Sequence, residues 1–282
     1  MKDICLTKTD QLHLYFCLMK KQYGFLLSLL IFSIIGCNNS TSTDTPSEGK
    51  NSVPISAPSI ISTLPHDTSY FTEGLEFYDS SLLESTGQYG PSKLLQLDPK
   101  TGKVLKEVKL GDKYFGEGIT VLHDTLYQLT YKEKVVFVYD VKTFKKIKEL
   151  PFDGAEGWGM TNDGKNIIVS TGSSNLYYYE PGTFKLLKAV AVTENGTPVP
   201  NVNELEYVDG YVYANQWQYD YIVKIDPSNG NVIAKYDLGG LHESVSRLDA
   251  NAEVLNGIAY NHATKKFYVT GKNWPQMFEI QF

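Results

Sequence analysis

Phe115-Gly116-Glu117-Gly118-Ile119-Thr120 recurs along this chain in altered form, and the recurrence decides the fold. Phe71-Thr72-Glu73-Gly74-Leu75-Glu76-Phe77 is a close copy. Gly157-Trp158-Gly159-Met160-Thr161, Asn203-Glu204-Leu205-Glu206-Tyr207 and Leu255-Asn256-Gly257-Ile258-Ala259-Tyr260 are looser ones. Aligned on Gly74, Gly118, Gly159, Glu204 and Gly257, the copies stand 44, 41, 45 and 53 residues apart. Five copies at such a period mean a repeat architecture. The residue before the aligned column changes at every copy: Glu73, Glu117, Trp158, Asn203, Asn256. Framework residues stay alike because they pack alike. A kept frame with a changing neighbour is what a central site built from five units looks like.

Outward from this motif, each period holds three more strand patterns. An apolar alternating strand follows it, as in Leu126-Tyr127-Gln128-Leu129 and Val212-Tyr213-Ala214-Asn215. A strand running into a turn comes next, as in Leu95-Gln96-Leu97-Asp98-Pro99 and Val223-Lys224-Ile225-Asp226-Pro227. A last strand leaves that turn, as in Gly102-Lys103-Val104-Leu105 and Gly230-Asn231-Val232-Ile233. The Asp-Pro turns with a following Gly are hairpin signals. Four strands in each of five units predict an all-β, five-bladed β-propeller. An eight- to ten-strand sandwich would leave the five-fold spacing unexplained. Glu243 to Glu253 reads as a short helical insertion, which accounts for the longest spacing. The fifth unit lacks its outer strand, and Ile60-Ile61-Ser62-Thr63-Leu64 is placed to supply it. Such a closure pairs an exposed edge and ties the chain ends together.

Residues 19–37 read as an export signal, with Lys20 and Lys21 before the apolar run Phe25 to Ile35. The run is short for a membrane span. It ends in Ile34-Ile35-Gly36-Cys37, a lipobox-like close with Cys37 as the lipidated residue. Met19 reads as the true start, with residues 1–18 as a prefix. The expectation is therefore a signal over 1–37, a Ser/Thr/Asn/Pro-rich flexible tether over 38–58 and the propeller over 59–282. The location implied is the periplasmic side of the cell envelope, with membrane contact only through the lipid. The formal net charge of −6 argues against a nucleic-acid partner. Cys5, Cys17 and Cys37 all precede the propeller, which leaves it without a disulfide, a thiolate metal site or a cysteine nucleophile. His66, His123, His242 and His262 show no metal-ligand spacing. Neither a metal nor a cofactor is expected, and the body reads as a monomer.

In a propeller the first strand of each blade lines the central channel. One cavity would then hold Phe71, Phe115, Trp158, Trp217 and Trp274 with Glu73, Glu117, Asn203, Asn256 and Lys272. Apolar walls with a few polar groups suit a small-ligand site. Carboxylates buried beside aromatics are costly to keep without a use.

At this point the motifs become specific. Phe71-Thr72-x-Gly74-Leu75, Glu84-Ser85-Thr86-Gly87-x-Tyr89-Gly90, Tyr114-Phe115-Gly116-Glu117-Gly118, Asn215-x-Trp217-Gln218-x-Asp220 and Thr270-Gly271-Lys272-x-Trp274-Pro275 resemble the plant-type glutaminyl-peptide cyclotransferases. The resemblance runs from about Leu64 to Phe282 with the motifs in order. It implies a five-bladed propeller that converts N-terminal glutamine of peptides and proteins to pyroglutamate, releases ammonia and needs no catalytic metal. It places the family's central glutamate on Glu117, its pocket aromatics on Phe71, Phe115, Trp158 and Trp217, and its polar groups on Asn203 and Lys272. Two departures stand out: Glu73 replaces the family's common Gln, and Tyr131 is the nearest counterpart of a pocket Trp.

The residues fit that chemistry on their own account. The α-amine must lose a proton and attack its own side-chain amide carbon, and the leaving nitrogen must gain one. A single carboxyl group in reach of both serves as base and then acid. Aromatic walls hold the folded-back conformer from which the ring closes. Lys272 or Asn203 steadies charge on the amide oxygen. Two other classes remain open on sequence. A metal-dependent lactonase-like propeller hydrolase would use Glu73, Glu117, Asn203 and Asn256 as a ligand ring. A non-catalytic propeller would bind a peptide at its mouth.

Overall fold

The computed structural model describes residues 52–282. The export signal, Cys37 and most of the expected tether lie outside the described residues.

Alternating apolar strands separated by Asp-, Asn- and Gly-containing turns form five sheets whose antiparallel strands run from the axis outward in chain order, with an N-terminal strand added at the outer edge of blades 4 and 5. Blade 1 is β3 (Thr72–Tyr78), β4 (Ser81–Thr86), β5 (Lys93–Leu97) and β6 (Val104–Lys109). Blade 2 is β7 (Gly116–Leu122), β8 (Thr125–Thr130), β9 (Val135–Asp140) and β10 (Lys146–Pro151). Blade 3 is β11 (Met160–Asn162), β12 (Ile167–Val169), β13 (Asn175–Tyr179) and β14 (Leu186–Ala191). A hairpin, β15 (Thr193–Glu194) with β16 (Thr197–Pro198), leads into blade 4. That blade is β17 (Val202–Val208), β18 (Tyr211–Gln216), β19 (Tyr221–Ile225) and β20 (Val232–Asp237). Helix α1 (Gly239–Leu248) precedes blade 5, which is β21 (Leu255–Asn261), β22 (Lys266–Gly271) and β23 (Gln276–Gln281). The first strands touch in a closed ring: β3, β7, β11, β17, β21 and back to β3.

The core is distributed between the blades. One apolar cluster fills each of the five interfaces, for example Leu83, Leu94, Ile119 and Leu126 between blades 1 and 2. Val208, Ile222, Ile258 and Phe267 fill the space between blades 4 and 5. Each sheet buries both faces in this way, so the propeller is held by sheet-on-sheet packing around the axis.

The predicted closing strand is present. β2 (Ser59–Pro65) pairs antiparallel with β23, from Ser59 opposite Gln281 to Pro65 opposite Gln276. The next residue locks the joint. His66 Nδ1 lies 2.7 Å from the Trp274 carbonyl of blade 5 and Nε2 lies 3.0 Å from the Glu84 carboxylate of blade 1. The Thr72 hydroxyl also donates to Glu84 at 2.7 Å. Burial pulls the His66 pKa down, but the Glu84 carboxylate outweighs it and the net direction is upward. Both ring nitrogens face acceptors, as a protonated imidazole requires.

Two boundaries differ from the sequence reading. The tether does not reach residue 58: β1 (Ile55–Ser56) pairs parallel with β20, and Val53 packs on the core cluster between blades 3 and 4. The pairing covers the outer edge of blade 4 with a segment whose composition reads as linker. The helix lies earlier than Glu243 to Glu253, because Leu241 and Val245, one turn apart, are its buried anchors, whereas 249–253 offers no buried apolar residue.

Candidate active site

The first strands are irregular where the site needs them to be. The pairing of β3 with β4 shifts between Thr72 and Gly74, that of β7 with β8 between Gly116 and Ile119, that of β17 with β18 between Val202 and Leu205, and that of β21 with β22 between Leu255 and Ile258. Glu73, Glu117, Asn203 and Asn256 fall inside these bulges. A bulge adds an unpaired residue and re-aims its side chain, which explains why the variable column faces the axis. The aligned glycines serve the same convergence. A Cβ on Gly118 would lie 2.4 Å from the Met160 nitrogen, and one on Gly159 would lie 2.1 Å from the Asn203 carbonyl oxygen.

Blade 4 breaks the glycine column with Glu204, and its side chain crosses the channel. One carboxylate oxygen accepts the Leu75 N–H of blade 1 at 3.1 Å, the other the Ile258 N–H of blade 5 at 2.9 Å. Glu204 therefore forms a floor. Above it opens a pocket of about 230 Å³ lined by Phe71, Glu73, Phe115, Glu117, Tyr131, Trp158, Asn203, Trp217 and Lys272. That is below the roughly 300–1,000 Å³ of sites for drug-sized ligands, and it suits a single amino-acid residue.

The walls are aromatic and braced edge to face. Trp158 and Trp217 meet at 5.6 Å and 80°, and Phe71 and Phe115 at 6.2 Å and 89°. Tyr131 leans on Phe115 at 5.6 Å. Small residues make room for these rings: a Cβ on Gly87 would sit 2.4 Å from the Phe115 ring and 2.9 Å from Glu73 Cγ, and one on Gly172 would sit 2.5 Å from the Trp158 ring. Ser170 fixes the lip between blades 3 and 4, accepting the Gly159 N–H at 2.8 Å and donating to the Asn203 carbonyl at 2.6 Å.

The polar side is three ionisable groups and two carboxamides. Lys272 Nζ lies 2.6 Å from Glu73 Oε1 and 4.4 Å from the centre of the Phe71 ring. Asn256 donates to the other Glu73 oxygen at 3.2 Å. Burial pushes Glu73 up, against the pull of Lys272. Glu117 is 4% exposed. Burial first, then the Glu73 carboxylate, holds its pKa well above the ordinary carboxylate range, with Lys272 opposing.

Nine of the eleven pocket residues read from sequence line this cavity. Asn256 lies one layer beneath, where it braces Glu73 and the Thr72 carbonyl. Trp274 does not reach the cavity and is corrected to a core residue: it is fully buried, and its indole N–H donates to the Glu253 carbonyl at 2.8 Å. The chain turns between Lys272 and Trp274, with Asn273 at φ +58°, so the two side chains part. Sequence reasoning missed the outer brace. Glu133 accepts the Phe115 N–H at 3.3 Å and the Tyr89 hydroxyl at 2.8 Å, and Glu156 accepts the Trp158 indole N–H at 3.2 Å while pairing with Lys132 at 3.1 Å. Only Tyr89 carried a signal, through its motif. Among the described residues no group of three His, Cys, Asp or Glu side chains is arranged to hold a metal ion.

Comparison with known proteins agrees with the geometry. The family model described as glutamine cyclotransferase matches residues 29–282. A glutaminyl-peptide cyclotransferase of Arabidopsis thaliana is 37% identical over 224 residues, covering 79% of this chain and 70% of its own length. The crystal structure of Myxococcus xanthus glutaminyl cyclase superposes with a TM-score of 0.76 at 34% identity, covering 81% of this chain and 97% of that one.

Proposed function

This chain belongs to the glutamine cyclotransferase family and cyclises N-terminal glutamine of peptides to pyroglutamate with release of ammonia; we propose that the central pocket is where it does so and that Glu117 carries the proton. The observation that supports this most is the Glu117 carboxyl group itself, enclosed by aromatic rings in a one-residue pocket with its pKa raised. A base poised nearer neutrality is better matched to the amine than an ordinary carboxylate.

The pocket holds the substrate's first residue with its side chain folded back between Phe71, Phe115, Trp158 and Trp217, so that the amine faces its own amide carbon. The amine nitrogen bonds to that carbon as Glu117 takes the amine proton. The carbonyl π pair moves onto oxygen, where the Asn203 carboxamide donates a hydrogen bond. Glu117 returns the proton to the side-chain nitrogen, the oxygen pair re-forms the carbonyl, and the carbon–nitrogen bond breaks to release ammonia. Lys272, held by Glu73, supplies positive potential beside the developing oxyanion. The metal-dependent hydrolase and the non-catalytic binder do not describe a member of this family. We also propose export as a monomeric lipoprotein anchored through Cys37 on the periplasmic side, on the strength of the lysine pair, apolar run and Gly-Cys close.

The test is mass spectrometry of a Gln-initiated peptide incubated with the protein. Loss of one ammonia from the peptide, and none from the same peptide begun with Asn, is the expected result; an unchanged Gln peptide would refute the assignment.

A further inference from the structure

Beside the pocket, on the same face of the ring, lies a second concavity of about 430 Å³. Its walls are the β15–β16 hairpin with Pro198 and Pro200 on one side and Gln216, Tyr219 and Tyr221 on the other. It shares a wall with the pocket. Asn201 and Trp217 are hydrogen-bonded across that wall, Trp217 N–H to the Asn201 carbonyl at 2.8 Å. The Trp217 ring lines the pocket, while Pro200 and Gln216, one residue away on each strand, line the groove.

We propose that this groove is the subsite for the residues that follow the N-terminal glutamine, and that it favours an aromatic side chain at the third position. The proposal rests on the cyclase reading: with the first residue in a one-residue pocket, the rest of the peptide must leave across the rim. On the side of blades 1 to 3 the loops carry side chains tied to each other, Tyr89 to Glu133 and Lys132 to Glu156. In the blade 4 sector the pocket is instead bordered by the groove. Extended chain advances about 3.3–3.6 Å per residue, so the second residue crosses the one-strand wall and the third enters the groove.

The groove is built before any peptide arrives. Asn195 and Gly196, at φ +52° and +81°, form a tight two-residue hairpin turn, and Thr193 N–H anchors the hairpin to the Gly230 carbonyl at 2.9 Å. Its one ion pair is internally neutralised: Lys235 lies 3.2 Å from Glu194 and 4.7 Å from the Tyr221 ring centre. The groove therefore offers no net charge to select an acidic or basic residue. It offers two proline faces and the Tyr219 ring, 48% exposed, which pack best against another ring.

The experiment compares kcat/KM for glutaminamide, Gln-Ala-Ala-Ala and Gln-Ala-Phe-Ala on the wild type, Tyr219→Ala and Tyr219→Phe. The Phe peptide should exceed the Ala peptide by about five- to tenfold in the wild type and in Tyr219→Phe, as partial burial of a ring allows. Tyr219→Ala should lose most of that gain with glutaminamide turnover unchanged. Equal kcat/KM for the two peptides in the wild type, or a gain that survives in Tyr219→Ala, would overturn the subsite. No turnover of glutaminamide by the wild type would instead overturn the cyclase reading on which it rests.

Discussion

Lys272 Nζ and Glu73 Oε1 lie 2.6 Å apart with side chains only 9% and 2% exposed, an ion pair that joins the last blade to the first inside the pocket. Glu73 stands where the resembling family commonly has Gln, so it adds a negative charge beside Glu117 that raises the Glu117 pKa, with Lys272 opposing. In Glu73→Gln the like charge is gone and the Lys272 ammonium remains, so the Glu117 pKa falls. A base works deprotonated, and the acidic limb of kcat/KM reports its pKa in the free enzyme. That limb should move to lower pH in Glu73→Gln, with cyclase activity retained. An unmoved limb on the same Gln peptide at fixed ionic strength would show that the two carboxyl groups do not interact.

Gly87 is the space into which Phe115 and Glu73 fit. It is not among the positive-φ glycines, so alanine is tolerated by the backbone, but its Cβ would collide with the Phe115 ring. Gly87→Ala should lower kcat/KM by roughly ten- to hundredfold by displacing the wall while leaving the propeller folded. Near-normal kcat/KM would mean that the ring position is not critical.

The lower channel holds more carboxyl groups. Glu206, 5% exposed, accepts the Tyr260 N–H at 2.8 Å, and burial with the nearby Glu76 and Glu204 holds it well above the carboxylate range. Burial pushes half-buried Glu76 up to about 8, against bonds from Thr120 and Val121. Between pH 4.5 and these raised values the folded state binds more protons than the unfolded one, so stability falls as pH rises. The melting temperature should decline from pH 5 to pH 8, and Glu76→Gln should flatten the decline. A curve rising over that range would contradict the buried, protonated carboxyls.

Truncation separates the two N-terminal strands. Starting the chain at Ser59 removes β1, a two-residue edge pairing, and should lower the melting temperature by a few degrees, about 1 kcal/mol or less per lost contact. Starting it at His66 removes β2 and leaves β23 as an open edge, and should abolish a single cooperative transition. Equal melting curves for the two would mean that the ring does not depend on its closing strand.

The blade number, strand order and closing strand were legible in the sequence because a repeat broadcasts its period: the same turn and alternation appear at every copy. The pocket was legible for the same reason, since Glu73, Glu117 and Asn203 stand out against a constant frame. What stayed hidden depends on direction at one residue. Trp274 and Lys272 are two apart on a segment whose φ reverses at Asn273, and nothing in the residue types says which side chain turns inward. His66 looked isolated because its lock joins Glu84 of blade 1 to the Trp274 carbonyl, 208 residues along the chain in blade 5, and only the closed ring brings them together. Glu204 stands in the aligned column with nothing to mark its role, because only the closed ring places the Leu75 and Ile258 N–H groups within reach of its carboxylate.

The most direct measurement is the turnover of Glu117→Gln on a Gln-initiated peptide, with circular dichroism and melting temperature measured alongside. The substitution keeps the shape and removes the group that takes and returns the proton. The predicted result is a fall in kcat of about 10²–10⁴-fold with the fold intact. A folded Glu117→Gln protein that cyclises the peptide at close to the wild-type rate would contradict the account.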